Sequence, residues 1–342
     1  MNHLRLRIRE IVSETADSKT YYFDNKELNY QAGQFITCIL PKSTGTLRRA
    51  YSFCTSPLAD EYPGITVKRV ANGIGSRYIL DHWQVGDDVE CLPPAGKFCL
   101  PADTRIKPLL FAAGSGIVPI FSMLNEFLFL NPEAEVLLSY SNQSPDSAIF
   151  LSKLKLMLER YPGLRIRFFF SNAFNIAEAR MNGEHLDKLF SNYELQNQQA
   201  LHVFTCGPET YMFLCEVKAK FHGIRGDQFH SELYWREVES HSMPHAFAEG
   251  PFELRLHQNN QVRVFNIPGN KTILRALRDA RTELPWSCEG GRCGTCQIHL
   301  TEGEVYMSRN EVLTDNDLEK GLILTCTAYP KKGPISIMLK TK

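Results

Sequence analysis

The rhythm of apolar positions changes along the chain and divides it into three stretches. Up to about residue 102, apolar and polar residues alternate in short runs: LRLRIREIV, KTYYFD, QFITCIL, AYSFCTS, GITVKRV and DDVECLPP. Gly33, Pro41, Pro63–Gly64 and Gly86–Asp87 punctuate them, and one helical piece, GSRYILDHW, interrupts them. Many short strands with turn residues between them predict an antiparallel β-barrel or sandwich. From about residue 105 come apolar runs, PLLFAAG, AEVLLSYS, LRIRFFFS and ALHVFTCG. They alternate with the helical patterns SAIFLSKLKLMLER and PETYMFLCEVKAKF, which predicts a parallel sheet with crossover helices. REVESHSMPHAFAEG (236–250) is polar and aperiodic, and reads as a linker. Beyond it, FELRLHQ and QVRVFNI predict a hairpin and KTILRALRDA a helix, followed by a cysteine-rich loop.

Composition narrows the class. Hydrophobic residues make up 43% and charged residues 22%, ordinary values for a globular chain. Lys+Arg and Asp+Glu both number 38, so no excess of positive charge favours nucleic acid. MNHLRLRIRE lacks the apolar core of a signal peptide. The uncharged stretch PLLFAAGSGIVPIFSMLN (108–125) is broken by Gly114, Gly116 and Pro119, which suits a strand, turn and helix better than a membrane span. Ten cysteines without a signal peptide point to a reducing cytoplasm, where disulfides are rare.

Three of those cysteines stand in CEGGRCGTC. Cys288, Cys293 and Cys296 have the spacing C-x4-C-x2-C, and Cys326 follows in LILTCTAYP. Four thiolates in this order are the plant-type spacing for a 2Fe–2S cluster. Gly290, Gly291 and Gly294 let the backbone wrap tightly and leave amides free to point at sulfur. A structural zinc site usually uses two paired knuckles, so zinc fits less well, as does a disulfide.

Five further pieces carry chemistry, each with a plain alternative. In RAYS, Arg49 suits a phosphate, Tyr51 a flat ring and Ser52 a ring nitrogen, although a surface strand gives the same string. In ANGIGSRYIL, Gly73 and Gly75 free the backbone and Ser76 is placed to cap the next helix, whose exposed amides attract anions. PPAGKF reads as a turn leaving the barrel. AAGSGIVP follows a buried strand and opens a helix, a context for a dinucleotide pyrophosphate. Pro119 takes the position of the last glycine of the usual fingerprint. TCGP (205–208) ends another strand, where ligands of a parallel sheet sit; a lone Cys206 is otherwise a buried core residue.

In this order the pieces resemble the ferredoxin–NADP⁺ reductase superfamily over residues 1 to about 236, and CEGGRCGTC with LTCTA resembles a plant-type ferredoxin over 251–342. The whole is similar to reductase components of multicomponent oxygenases, of the phenylacetyl-CoA epoxidase reductase type. The resemblance implies an α+β multidomain chain. Residues 1–103 would form a FAD-binding antiparallel β-barrel and 104–236 a parallel α/β nicotinamide-binding domain. Residues 237–250 would be a linker and 251–342 a β-grasp ferredoxin domain with a cluster near about −400 mV. Arg49 would contact a flavin phosphate, Tyr51 stack on the isoalloxazine and Ser52 bond its hydride-accepting nitrogen. Gly73, Ile74, Gly75 and Ser76 would hold the flavin pyrophosphate, which favours FAD over FMN. Gly114, Ser115, Gly116 and Pro119 would bind the nicotinamide cofactor. Cys206, with Gly207 and Pro208, would sit near the reactive nicotinamide carbon, and Tyr234 of HSELYWRE near the flavin.

Two features refine this. Val118 stands where many members have threonine before the proline. Gln143 and Asn172 occupy positions where NADPH-using members place arginine, so NADH is expected and NADPH is the alternative. Electrons would pass from NADH through FAD and the cluster to a partner protein, with Ser52 and Cys206 orienting the reacting faces. A terminal oxygenase or hydroxylase is the expected partner; a di-iron desaturase, a hybrid-cluster protein or a redox-sensor role without turnover are alternatives. No nucleic acid and no membrane span are expected, and the free chain is expected to be a monomer. Residues 251–342 hold 13 Lys+Arg and 10 Asp+Glu, without the strong acidity of a free plant ferredoxin. The acidic run EVLTDNDLE reads first as a solvated loop, and second as a dock for a basic partner.

Overall fold

The alternating N-terminal runs become six strands because one face of each enters a common core. β1 (Leu4–Thr15), β2 (Ser18–Phe23), β3 (Phe35–Lys42), β4 (Gly45–Ser52), β5 (Gly64–Lys68) and β6 (Asp88–Ala95) lie in the order β4-β3-β6-β1-β2-β5. The pairs β1–β2, β1–β6, β2–β5 and β3–β4 are antiparallel. Just beyond β4 the two edges of the sheet meet. Phe53 bridges to Ile65, and the Cys54 amide donates to the Gly64 carbonyl at 2.9 Å. The curled sheet encloses Leu6, Ile8, Tyr21, Phe23, Ile36, Leu40 and Val67, and helix α1 (Ile74–His82) adds Ile79 and Leu80 to that core. This computed structural model describes residues 3–42, 45–101, 106–175, 179–194, 200–234, 250–259, 261–291, 293–310 and 312–339. Except for Gly250, the expected linker 237–250 lies outside them.

The apolar runs form a parallel sheet whose central strands are buried on both faces. Its strands are β7 (Lys107–Ala113), β8 (Val136–Asn142), β9 (Leu164–Phe170), β10 (Leu201–Cys206) and β11 (Phe229–Glu232), in the order β11-β10-β7-β8-β9. Helices α2 (Ile117–Leu130) and α3 (Leu151–Arg160) pack Ile120, Leu124 and Leu154 on one face with Leu110, Leu138 and Phe204. Helices α4 (Gly183–Glu194) and α5 (Glu209–Phe221) pack Leu186, Phe190 and Cys215 on the other with Phe111 and Val203. The pattern SAIFLSKLKLMLER predicts a helix from residue 147, yet α3 begins at Leu151. Phe150 has φ 63°, in the left-handed region, which interrupts a helix at that point. The short edge strand β11 and helix α4 were not among the predicted elements; the one is four residues long, the other polar.

These two regions form one compact unit, Asn2–Pro94 with Phe98–Tyr234. Between them lies a set of hydrogen bonds centred on α2. The Ser122 hydroxyl donates to the Thr55 carbonyl at 2.6 Å and accepts from the Gly33 amide at 3.3 Å. The Ser56 hydroxyl donates to Glu126 at 2.8 Å, and Asn125 donates to Asp60 at 2.8 Å. On α3, Lys153 reaches Glu14 at 2.8 Å.

The second unit, mostly Trp235–Lys342, has its own core. β12 (Phe252–Gln258), β13 (Gln261–Ile267), β14 (Gln297–Met307), β15 (Leu322–Leu324) and β16 (Ala328–Met338) are ordered β13-β12-β16-β14-β15. β12 and β16 are parallel, whereas β12–β13, β14–β15 and β14–β16 are antiparallel. Helix α6 (Ile273–Asp279) buries Ile273, Leu274, Ala276 and Leu277 against this mixed sheet, the β-grasp arrangement; α7 (Asp315–Glu319) is one short turn. Among the described residues, no helix is long and apolar enough to cross a membrane.

Burial raises the carboxyl pKa of Glu126 above its ordinary value, opposed by the Ser56 hydrogen bond. A raised carboxyl favours folding when protonated, and that contribution is lost as pH rises through the raised pKa. Glu126→Gln keeps an acceptor for Ser56 and removes the buried charge. It is expected to gain thermal stability relative to the parent between about pH 4 and about pH 8. A difference in melting temperature that is flat or shrinks over that range contradicts this.

Candidate functional site

Strand alternation sends the residues of RAYS to two sides. Arg49 and Tyr51 share one face of β4 and meet the start of α1. A Cβ added at Gly75 would lie 2.7 Å from Arg49 Cγ and 3.2 Å from the Tyr51 hydroxyl. The sequence pieces RAYS and GIGS are thus neighbours in space, and the missing side chain at Gly75 is what lets Arg49, Tyr51 and the helix backbone converge. Gly73 is the N-cap residue of α1, and Ile74 is its exposed first residue. Ser76 does not cap the helix as the sequence suggested. Its hydroxyl sits one turn in, donates to the Gly73 carbonyl at 3.3 Å and accepts from the Val70 amide at 3.1 Å. It tightens the turn and leaves the first amides of the helix without a side-chain acceptor. Burial pushes the Tyr51 phenol upward, so the ring stays neutral.

The opposite face of β4 carries Ser52, whose hydroxyl donates to Glu232 at 3.2 Å. Glu232 ends β11, in register with Cys206 at the end of β10. Strand order reverses between β7 and β10, and a parallel sheet binds ligands in the crevice beyond such a point. Gly114, Ser115 and Gly116 form a single tight turn after β7, with Gly114 at φ 56°, and Pro119 is buried in the first turn of α2. A Cβ at Gly116 would fall 2.1 Å from the Cys206 carbonyl oxygen, and one at Gly207 would fall 2.8 Å from Ala113 Cβ. The two turns therefore touch through glycine alone. Pro208, the N-cap residue, starts α5. The Tyr234 hydroxyl donates to the Ser115 carbonyl at 2.9 Å and lies within hydrogen-bonding reach of Ser52 and Cys206. Cys206 is fully buried, and desolvation followed by the nearby Glu232 charge pushes its thiol well up, so it is a neutral thiol.

Five predicted residues thus converge: Ser52, Ser115, Gly116, Cys206 and Tyr234. Glu232 joins them and was missed by the sequence reading. Its signal was an acid two residues before Tyr234 at the end of a short polar strand, which no periodicity marks.

In the C-terminal unit the four cysteines come together as two pairs. Contact with Cys288 holds the Cys293 thiol down at about 6. Cys296 and Cys326 lie 3.2 Å apart, which lowers Cys296 and raises Cys326, one proton serving both. The Cys288 charge also acts on Cys296 and Cys326, so all four sulfurs share one neighbourhood. The Gly290 amide donates to Cys288 sulfur at 3.4 Å. Gly291, at φ 75°, has the Arg309 carbonyl 2.8 Å from where a Cβ would be. Thr325 ties the turn that carries Cys326 back to the loop, its amide and hydroxyl donating to the Cys296 carbonyl at 3.2 and 3.1 Å. No three Cys, His, Asp or Glu residues among those described converge as ligands of one ion. Two thiol pairs in one neighbourhood suit a cluster with two irons.

Comparison with known proteins agrees region by region. Residues 4–99 match the oxidoreductase FAD-binding domain, 110–216 the oxidoreductase NAD-binding domain, and 256–331 the 2Fe–2S iron–sulfur cluster binding domain. The chain is therefore an iron–sulfur flavoprotein oxidoreductase that binds FAD, a nicotinamide dinucleotide and a 2Fe–2S cluster. The ferredoxin reductase component of 3-ketosteroid-9-alpha-monooxygenase from Mycolicibacterium smegmatis is 31% identical, covering 98% of this chain and 96% of its own. A component of 1,2-phenylacetyl-CoA epoxidase from Escherichia coli is 28% identical, over 98% of each chain. The structure of phthalate dioxygenase reductase superposes with a TM-score of 0.61 at 27% identity, covering 99% of this chain and 98% of that one. With these relatives, the chain belongs to the family of oxygenase reductase components.

Gly75→Val places a branched side chain where Arg49 and Tyr51 meet α1. It is expected to reduce FAD retained per chain at least about tenfold with far-ultraviolet circular dichroism unchanged. Full retention of flavin would show that this convergence does not form the FAD site.

Proposed function

We propose that this reductase passes single electrons from NADH to a terminal oxygenase or hydroxylase. Its relatives in three oxygenase systems support the partner, being named as components of a steroid monooxygenase, an epoxidase and a glycine betaine monooxygenase. The observation that carries the path is the convergence of Ser52, Glu232, Tyr234 and Cys206 at the switch point, in a chain that also gathers four thiols. Bound FAD and the 2Fe–2S cluster supply the conversion of a two-electron hydride into single electrons. The protein's own residues bind and orient.

In this reading Arg49 holds a flavin phosphate, Tyr51 lies on the ring, and Gly73 to Ser76 receive the pyrophosphate. Ser52 turns its single hydroxyl proton from Glu232 to the flavin edge when FAD is bound. Gly114, Ser115, Gly116 and Pro119 seat the dinucleotide. Neutral, buried Cys206, flanked by Gly207 and Pro208, packs beside the nicotinamide, and Tyr234 closes the crevice. Cys288, Cys293, Cys296 and Cys326 hold the cluster. The corresponding domains are 1–103, 104–236 and 251–342, joined by 237–250, and the free chain is a monomer. Its place is the cytoplasm, where thiols stay available as ligands.

The NADH preference rests on the turns after β8 and β9. The Ser171 amide donates to the Asn142 carbonyl and the Asn172 amide to the Gln143 carbonyl, both at 3.0 Å. Neither turn carries a lysine or arginine between 139 and 144 or between 171 and 175. A 2′-phosphate there finds no charge-assisted bond.

Anaerobic holoprotein is expected to bleach in the flavin and cluster bands on adding NADH, and more slowly with NADPH. Asn172→Arg should raise the NADPH-to-NADH ratio of kcat/KM by about tenfold. Faster bleaching by NADPH in the parent overturns the NADH assignment. Ser52→Ala is expected to lower the rate of flavin reduction by about 10- to 100-fold with NADH affinity little changed, the scale of one lost transition-state hydrogen bond. An unchanged reduction rate removes Ser52 from the reacting edge.

A further inference from the structure

The helix beside the cluster loop has an unequal distribution of charge. Its inner face, Ile273, Leu274, Ala276 and Leu277, is buried in the core. Its outer face carries Arg275 and Arg278, with Lys271 just before the N-cap Thr272 and Arg281 just after the helix, all exposed. Lys271 pairs with Asp279 at 2.6 Å, so four cations on this edge face the two carboxylates of Asp279 and Glu289 and an excess of positive charge remains. Between residues 263 and 289 there are five Lys+Arg (Arg263, Lys271, Arg275, Arg278, Arg281) and three Asp+Glu (Asp279, Glu283, Glu289).

One of those acids is turned inward. Glu289 directly follows Cys288, takes φ 50°, and pairs with both Arg275 and Arg278. Its side chain is 24% exposed, against 55% for Arg275 and 41% for Arg278. The carboxylate is engaged in holding the cluster loop, and the guanidiniums remain toward solvent. Arg278 also lies 3.9 Å from the centroid of the Trp286 ring, two residues before Cys288. The cationic edge is thus continuous with the segment that carries the first cluster ligand. On α7, by contrast, Asp317 folds back to accept from the Thr314 amide and hydroxyl at 3.0 and 2.9 Å, so part of the acidic run serves its own helix cap.

We infer that the Lys271–Arg275–Arg278–Arg281 edge is the surface on which the electron acceptor docks, and that the matching surface of that acceptor is acidic. This rests on the reading that the cluster donates to a partner protein. Opposite charge on two surfaces speeds encounter and weakens with salt, which gives the inference a signature independent of the acceptor's identity.

The test uses the full-length holoprotein and two one-electron protein probes of opposite charge: plastocyanin, an acidic copper protein, and cytochrome c, a basic haem protein. The balance for the first is NADH + 2 Cu(II) → NAD⁺ + H⁺ + 2 Cu(I). Between about 20 and about 300 mM salt, plastocyanin reduction is expected to slow and cytochrome c reduction to quicken. Lys271→Glu with Arg281→Glu, neither of which touches Glu289, should cut plastocyanin reduction at low salt at least about threefold and flatten its salt dependence. NADH-driven bleaching of the cluster should stay at the parent rate. Salt slopes of the same sign for both probes, or slopes unmoved by the double substitution, overturn the docking surface. Mixing dithionite-reduced protein with the probes isolates the exit step. A chain whose cluster NADH cannot bleach, yet which shows these slopes when pre-reduced, breaks the electron path and leaves the docking surface standing.

Discussion

Hydride transfer needs reacting atoms about 3–3.5 Å apart, so under the proposed assignment of the nicotinamide site the placement of one turn over one sheet governs the reductase. That turn, Gly114–Gly116, rides on the N-terminus of α2. α2 is fixed to the flavin-side sheet by Ser122, Asn125 and Glu126, three polar positions close together on an otherwise apolar helix. Each of these bonds is worth about 0.5–1.5 kcal/mol net, but their directionality sets where the helix sits, which apolar packing alone does not. The same helix buries Ile120 and Leu124 in the sheet behind it. Its apolar face therefore sets its distance from β7 and its polar face sets its register against the flavin side. The cost appears at Asp60 and Glu126, whose carboxyls are raised by burial.

Glycine does on the other side of the crevice what those polar residues do behind it. At Gly116 and Gly207 any side chain would collide with the Cys206 carbonyl or with Ala113. Their absence brings the ends of β7 and β10 together, which pulls Cys206 inward, out of water. A thiol so placed stays protonated. In the proposed reading it shapes the nicotinamide pocket without competing as a nucleophile, since reactivity belongs to the thiolate.

Much of this was legible in the sequence because glycine, proline and cysteine carry their constraints locally. The gathering of four cysteines, the turn at AAGSG and the order of strands and helices follow from spacing and period. What escaped depends on distant parts of the chain. Glu232 gains its role only when β11 pairs with β10 and brings it to Ser52, 180 positions earlier. Ser76 has the right type to cap α1, yet its hydroxyl accepts from the backbone amide of Val70 before the turn instead. Helix α3 starts late because Phe150 turns left-handed to bury its ring against Phe121, at 4.4 Å between centroids, a tertiary contact that outweighs helical propensity.

The charge pattern near the cluster follows the same division between local and distant constraint. The tight loop that carries Cys288 and Cys293 holds residues in conformations that cost free energy, and Glu289 at φ 50° is one of them. Two arginines from α6 stabilise that residue, and so the helix must carry cations on the side facing the loop. Once Arg275 and Arg278 are needed there, the outer edge of the helix is positive whatever the partner. An acceptor evolving against this surface meets cations that pair with the residue next to Cys288, and acidic residues are the simplest complement. The sign of the docking charge thus follows from how the cluster loop is held.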